Sequence, residues 1–194
     1  WVRIGPEIWM AENLNYITTE GSWCFDNKDS NCDVYGRLYN YHTATDACPE
    51  GWHLSSVNDW FMLSFHTTGA KTVKPNRKFR NNFFSEFIDL ERYVKGHEGL
   101  GYLLKLEGNS IWQYPSTGSN ELGFNALPAG YYVPDKGFLG MLDKTSFWIT
   151  RPIDEPDQGG YTKTLLHYSN HVWETYTPRD WGASVRCVKG EAEK

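Results

Sequence analysis

Four cysteines, Cys24, Cys32, Cys48 and Cys187, constrain this chain more than any other residue type it carries. Four allow three connectivities, and the sequence alone does not choose among them. Cys24 and Cys32 flank a polar stretch, residues 25–31, that reads as a surface loop. Cys48 stands just before Pro49, and Cys187 lies close to the C-terminus. The expected frame is therefore Cys24–Cys32 with Cys48–Cys187. The second bridge would close a loop of about 140 residues, worth roughly 4–5 kcal/mol in the chain-entropy picture. Structural zinc sites usually carry cysteine pairs two to four residues apart, and no C-x-x-C occurs. Disulfides imply an oxidising compartment, so the chain is expected to be secreted or displayed at a cell surface. It opens at Trp1 without a charged segment leading into an apolar one, so any export signal is expected outside it.

The remaining composition narrows the class. A length of 194 residues suits one domain, expected over 1–194. With 40% hydrophobic and 22% charged residues the chain is globular in type. No run approaches the roughly 18 apolar residues of a membrane span. The formal net charge of −5 argues against nucleic acid as a partner, because phosphate needs a basic face. Aromatic residues reach 16%. Most of these rings must be core in a domain with few long regular elements.

Along the chain, Trp1–Ile4 and Ile8–Ala11 read as a hairpin about Gly5-Pro6-Glu7. A helix is expected from Tyr35 to Ala47, with Leu38, Tyr41 and Thr45 on one face and Cys48-Pro49 as its stop. A second should begin at Ser56, which forms a capping box with Asp59 and presents Trp60, Met62 and Leu63 before Gly69 closes it. Residues 70–99 differ in texture: a basic lead-in is followed by Phe83, Phe87 and Leu90 at helical spacing. This stretch reads as an insertion carrying an amphipathic helix over 82–94. Short strands are expected at 102–106, 110–112, 147–149, 164–168 and 183–188. Long loops held down by aromatics are expected over 114–140 and 151–160.

Five blocks, in order, carry a family resemblance: Ile8–Tyr16, Tyr35–Tyr41, Cys48–Ser55, Gly123–Tyr131 and Ser184–Val188. On them the chain resembles the Fibrobacter succinogenes major paralogous domain, found in exported bacterial proteins. The resemblance implies an α+β, C-type-lectin-like fold shared with the formylglycine-generating-enzyme superfamily. That means two helices packed on short twisted antiparallel strands, with long loops and disulfides. Leu54–Trp60 would match the helix-initiating Leu-Pro-x-x-x-Glu-Trp motif. The chain departs from the pattern in three places. Ser55 stands for the usual Pro, Ile149-Thr150-Arg151-Pro152 follows Phe147-Trp148 in place of Ser-Ser-Thr-Glu, and the 70–99 stretch is longer.

Enzymes of that superfamily use reactive cysteines, and none of the blocks places two cysteines in such a site. Nucleophile-elbow, zinc-protease and phosphate-loop motifs are also lacking, so the chain is expected not to be an enzyme. C-type lectins that hold sugar through calcium carry Glu-Pro-Asn or Gln-Pro-Asp in a long loop, and Glu155-Pro156-Asp157 lies in the corresponding region. Glu155, Asp157 and Glu174 are therefore the calcium candidates, although calcium needs six to eight oxygens and the companion Trp-Asn-Asp is absent. Apart from calcium, no cofactor is indicated. His167 and His171, four apart, flank a turn between strands and should not converge on a metal, and His53 lies in a core block.

Rings in the loops remain as recognition candidates, because Tyr and Trp bind sugar faces through C–H contacts while their polar tips stay wet. Trp112, Tyr114, Tyr131, Tyr132, Tyr161, Trp173, Tyr176 and Trp181 fall in such loops. Tyr132, Tyr161, Trp173, Tyr176 and Trp181 are taken as the ligand-binding set, in segments 114–120, 131–137, 151–160 and 175–181. The resulting expectation is a non-catalytic exported surface domain that serves adhesion by binding a glycan or surface protein. The alternative is a structural subunit, self-assembling or decorating an extracellular filament or envelope assembly.

Overall fold

The computed structural model describes residues 1–68, 99–108, 111–151 and 159–190. The 82–94 helix, the insertion up to residue 98, and the candidates Glu155 and Asp157 lie outside them. Val2–Ile4 (β1) and Glu7–Trp9 (β2) form the opening hairpin. Cys187–Lys189 (β11) adds to β2, and Trp52–Leu54 (β5) adds to β11, so both ends of the chain share one four-stranded sheet. A five-stranded sheet follows in the order β10-β9-β8-β6-β7. Its strands are Ala129–Val133 (β6), Gly137–Met141 (β7), Lys144–Ile149 (β8), Gly160–Leu166 (β9) and Val172–Thr177 (β10). Pairing is antiparallel apart from the β6–β8 contact at Gly130 and Thr145. Ser22–Trp23 (β3) and Leu38–Tyr39 (β4) make a small third sheet.

The helices are Asp29–Tyr35 (α1), Tyr41–Asp46 (α2), Val57–Thr68 (α3) and Leu100–Leu104 (α4). The chain is thus mixed α+β with few, short helices, several sheets and two disulfides, Cys24–Cys32 and Cys48–Cys187. Among the described residues four helices stand where two were expected, and the differences have local causes. The continuous helix expected over Tyr35–Ala47 is split. Gly36, at φ 74°, ends α1, Leu38-Tyr39 pair with Ser22-Trp23, and Asn40 then caps α2 by accepting from the Thr43 amide. Residues 25–31 hold a 3-10 turn and the start of α1 in place of a plain loop, and Cys32 sits inside α1. The strand expected at 102–106 is α4 followed by a single bridge from Lys105 to Ala126. Ile111 and Trp112 lie in a turn, not a strand. Two expected loops are regular: 131–137 is largely the β6–β7 hairpin, and Thr175–Thr177 belongs to β10. Glycine-rich composition hid the first, because Gly130, at φ 68°, lies where an added Cβ would meet the Leu139 carbonyl at 2.5 Å.

The capping box at α3 forms as read. The Ser56 amide donates to Asp59 Oδ2 at 2.6 Å and the Asp59 amide donates back to Ser56 Oγ at 3.2 Å. This start aims Trp60 and Leu63 into the main core, where Trp9, Trp60, Phe124 and Phe147 meet edge-on or tilted at 5.5–5.8 Å. A second cluster, around Tyr39, Trp148 and Val185, packs against the Cys48–Cys187 bridge.

One buried cation draws three of the family blocks together. Arg186 donates to Asn13 Oδ1 at 2.7 Å, to the Met10 carbonyl at 2.9 Å, and to the carbonyls of Phe124 and Asn125, while its guanidinium lies on the Phe124 ring. Three blocks far apart in sequence thus meet on one fork of donors. Among the described residues, no helix is long and apolar enough to cross a membrane.

Candidate functional site

Beside the Gly123–Tyr131 block, whose Ala126 bridges to Lys105, a second buried cation gathers three segments. Lys105 directly follows α4, and its residue is wholly buried. Its Nζ donates to the carbonyls of Leu166, His167 and Ser169 at 3.0, 3.1 and 2.9 Å, and lies 3.4 Å from Thr117 Oγ1. The Trp112 ring closes one side, 5.5 Å from the ammonium. Burial pulls the Lys105 ammonium down to about 8, which still leaves it charged at neutral pH. The surrounding bonds tie the same segments together. The Gly101 amide donates to the Asn170 carbonyl at 2.8 Å, the Ser119 amide donates to the Tyr102 carbonyl at 2.8 Å, and the Thr117 hydroxyl donates to the Asn170 side chain. His167 Nδ1 lies 3.1 Å from the carbonyls of both Gln113 and Pro115, which places a proton on that nitrogen, and Nε2 faces Asp143 at 3.3 Å.

Exposed rings rim this assembly. Tyr114, between the two residues that His167 holds, is 76% exposed. Tyr168, edge-on to the His167 ring at 4.9 Å, is 64% exposed. Tyr102 on α4 and Trp173 on β10, the latter beside His171 at 5.6 Å, are each 39% exposed. Four large rings from three segments therefore stand within one or two residues of the contacts that bind those segments together.

Of the five rings taken from sequence, Trp173 and Tyr176 are exposed. Tyr161 is half-buried under the Arg151 guanidinium at 3.8 Å and edge-on to Tyr176 at 5.8 Å. Tyr132 stacks on Trp23 at 4.4 Å and touches Phe138, and Trp181 stacks on Tyr131 at 5.7 Å. These two are half-buried members of ring stacks. Trp112 is core, its Nε1 donating to the Ala126 carbonyl. The structure thus splits the set between the β9–β10 edge and the β6–β7 hairpin. It also adds Tyr102 and Tyr168, which the sequence reading passed over. The signal was there for Tyr168: the segment Tyr168-Ser169-Asn170-His171 has turn composition between two β-rich runs.

Glu174, the third calcium candidate, is engaged. Lys163 Nζ lies 2.7 Å from one carboxylate oxygen and Arg151 pairs with the other, with both the Lys163 and Glu174 side chains almost fully buried. Burial and then Arg151 push the Lys163 ammonium well below the usual lysine range. Among the described residues, no group of three His, Cys, Asp or Glu side chains could hold a metal ion. His167 and His171 turn to different partners, as the strand–turn reading expected.

A separate titratable cluster sits on the four-stranded sheet. Asp59 Oδ2 accepts from Ser56 and lies 3.2 Å from His53 Nε2, while Glu7 accepts from Trp9 Nε1 at 3.0 Å. Burial, reinforced by the charge of Asp59, pushes Glu7 up to about 7. The hydrogen bond to Asp59 raises His53. The cluster fastens the start of α3 to the sheet.

A disulfide-braced α+β domain with a buried arginine behind its shared blocks and a ring-bearing end is the class that fold and site define. The match to the Fibrobacter succinogenes major domain spans residues 2–189, and the chain belongs to that family. No curated protein and no solved structure matches it.

Proposed function

We propose that the chain is a non-catalytic recognition domain of an exported or cell-surface protein, binding a glycan or a surface protein on the ring-bearing end around Lys105. The observation that carries this reading is the set of four exposed rings, Tyr102, Tyr114, Tyr168 and Trp173, on three segments fastened to one buried ammonium. Rings held on a rigid base suit a ligand because little side-chain entropy is lost on contact. A C-type-lectin-like architecture fits the same reading: the chain ends meet in one sheet, and Cys48–Cys187 clamps that sheet. Two disulfides and no free thiol accord with an oxidising compartment. With Glu174 already neutralised, recognition is expected to be independent of calcium. A glycan and surface-protein array, probed with and without calcium, tests this. Tyr168→Ser and Tyr114→Ser should each weaken the selected ligand about 30-fold, the equivalent of a 2 kcal/mol anchor. Signal that requires calcium, or that survives both substitutions unchanged, would overturn the assignment.

One feature favours a second, structural reading. β10 is an edge strand of its sheet, and its one charged residue, Glu174, is turned inward, so the edge offers Trp173, Thr175 and Tyr176 without a charge to block pairing. Native mass spectrometry distinguishes the two readings: a monomer at micromolar concentration excludes edge-to-edge assembly of copies.

A further inference from the structure

The surroundings of Lys105 have the construction of a cation site. Three backbone carbonyls of one short turn, Leu166, His167 and Ser169, converge with the Thr117 hydroxyl on a single point. Among the described residues no carboxylate pairs with the ammonium. A buried lysine is ordinarily neutralised by an acid, as Lys163 is by Glu174. Here carbonyl dipoles, one hydroxyl and the Trp112 ring meet the charge, and carbonyls play that part around weakly hydrated cations. The contacts of 2.9–3.4 Å fit an ammonium or a large monovalent ion. Calcium at 2.3–2.6 Å and magnesium at 2.0–2.1 Å would need a tighter ring. Three of the ring's oxygens come from residues 166–169 and the fourth from Thr117, while the His167 ring, bound to the carbonyls of Gln113 and Pro115 and facing Asp143, holds the turn in place.

We infer that this oxygen ring is a monovalent-cation site, selective for alkylammonium and ammonium-like ions, which Lys105 fills with its own side chain. The tether makes the ring-bearing end independent of ions in the medium. That consequence rests on the recognition reading, whereas the site itself does not, and the test below reads only the turn.

Lys105→Ala removes the occupant and its stem together. The purified variant is followed by thermal unfolding and by hydrogen exchange at the amides of residues 166–171, with added n-propylammonium chloride. Tetramethylammonium chloride, which has no N–H donor, serves as the control for salt. The variant should melt about 5 °C or more below the parent, a shift of ordinary size for one buried interaction. Propylammonium should restore at least half of that loss with saturable concentration dependence and recover the turn's protection, while tetramethylammonium does neither and the parent responds to neither salt. Equal effects of the two salts, recovery without saturation, or an unchanged melting temperature would overturn the assignment. If Lys105→Ala does not fold, Lys105→Met keeps the apolar stem and leaves only the tip empty. Ammonium or potassium should then stabilise it saturably where lithium does not, and equal responses to all three would count against the site.

Discussion

Arg186 and Lys105 are both buried cations surrounded by backbone carbonyls, yet they organise opposite kinds of region. Arg186 joins Met10, Asn13, Phe124 and Asn125 beneath the sheet that holds both chain ends, and its guanidinium lies against Phe124. Lys105 joins one turn and one loop, and the exposed rings Tyr102, Tyr114, Tyr168 and Trp173 are carried by the segments it fastens. The planar fork, with five donors, reaches segments in several directions and locks a core. The compact ammonium satisfies one turn and leaves its neighbours at the surface. On either side of the Asn125-Ala126 step, the same chemistry therefore closes the core at Arg186 and fastens ring-bearing segments at Lys105.

The largest effects should come from the closed end. Breaking Cys48–Cys187 with Cys48→Ser releases residues 139 apart, and chain entropy assigns that about 5 kcal/mol. Cys24→Ser opens a separation of only 8 and should cost about half as much on the same reckoning. Denaturant midpoints of the two variants rank them, and equal losses would mean that the long bridge constrains little. Arg186→Met comes next. It leaves the carbonyls of Met10, Phe124 and Asn125 and the Asn13 amide oxygen without this donor, so a loss of about 3–4 kcal/mol is expected. If Arg186→Met unfolded no more easily than a surface substitution, the contrast between the two cations would fail.

Why the closed end could be read and the open end only in part follows from these contacts. Cys48–Ser55, Gly123–Tyr131 and Ser184–Val188 supply the bridge, the carbonyls and the arginine, so residue identity there encodes tertiary contact directly. The start of α3 was equally legible, because Ser56 and Asp59 satisfy each other locally. At the other end the ligands of Lys105 are backbone carbonyls, which any residue supplies. Nothing in Leu166-His167-Tyr168-Ser169 announces a cation ring. Tyr132 and Trp181 looked like exposed loop rings because Gly and Pro surround them. They are half-buried because β6 pairs with β7, and because Gly182 lets the backbone approach Tyr132. The helix expected over Tyr35–Ala47 fails because periodicity was counted across Gly36 and Asn40, the two residues that end one helix and begin the next.

A smaller effect tests the four-stranded sheet by pH. Glu7, raised from 4.5 to about 7, binds its proton more tightly when folded. Its contribution is complete below about pH 4.5 and is lost as pH rises through 7. His53, also raised, acts in the same direction above its ordinary 6.5, whereas Asp59, lowered from 3.8, withdraws support only in stronger acid. Folding should therefore be strongest near pH 4.5–5 and weaken by about 2 kcal/mol towards pH 8, after allowance for the partial exposure of Glu7. Glu7→Gln should flatten that decline, and urea midpoints across the range would reveal it. A parent protein more stable at pH 8 than at pH 5 would contradict the assignment of Glu7.

The recognition end is tested most directly by measuring binding and stability on one pair of variants. Tyr114→Ser/Tyr168→Ser removes the two most exposed rings of the rim, which contribute little to packing. Against the glycan or protein that the array selects, isothermal titration should show affinity falling at least 30-fold, while the melting temperature stays within about 2 °C of the parent. Unchanged affinity together with a fall in melting temperature would show that these rings serve the fold, and that the surface above Lys105 is not where this protein meets its ligand.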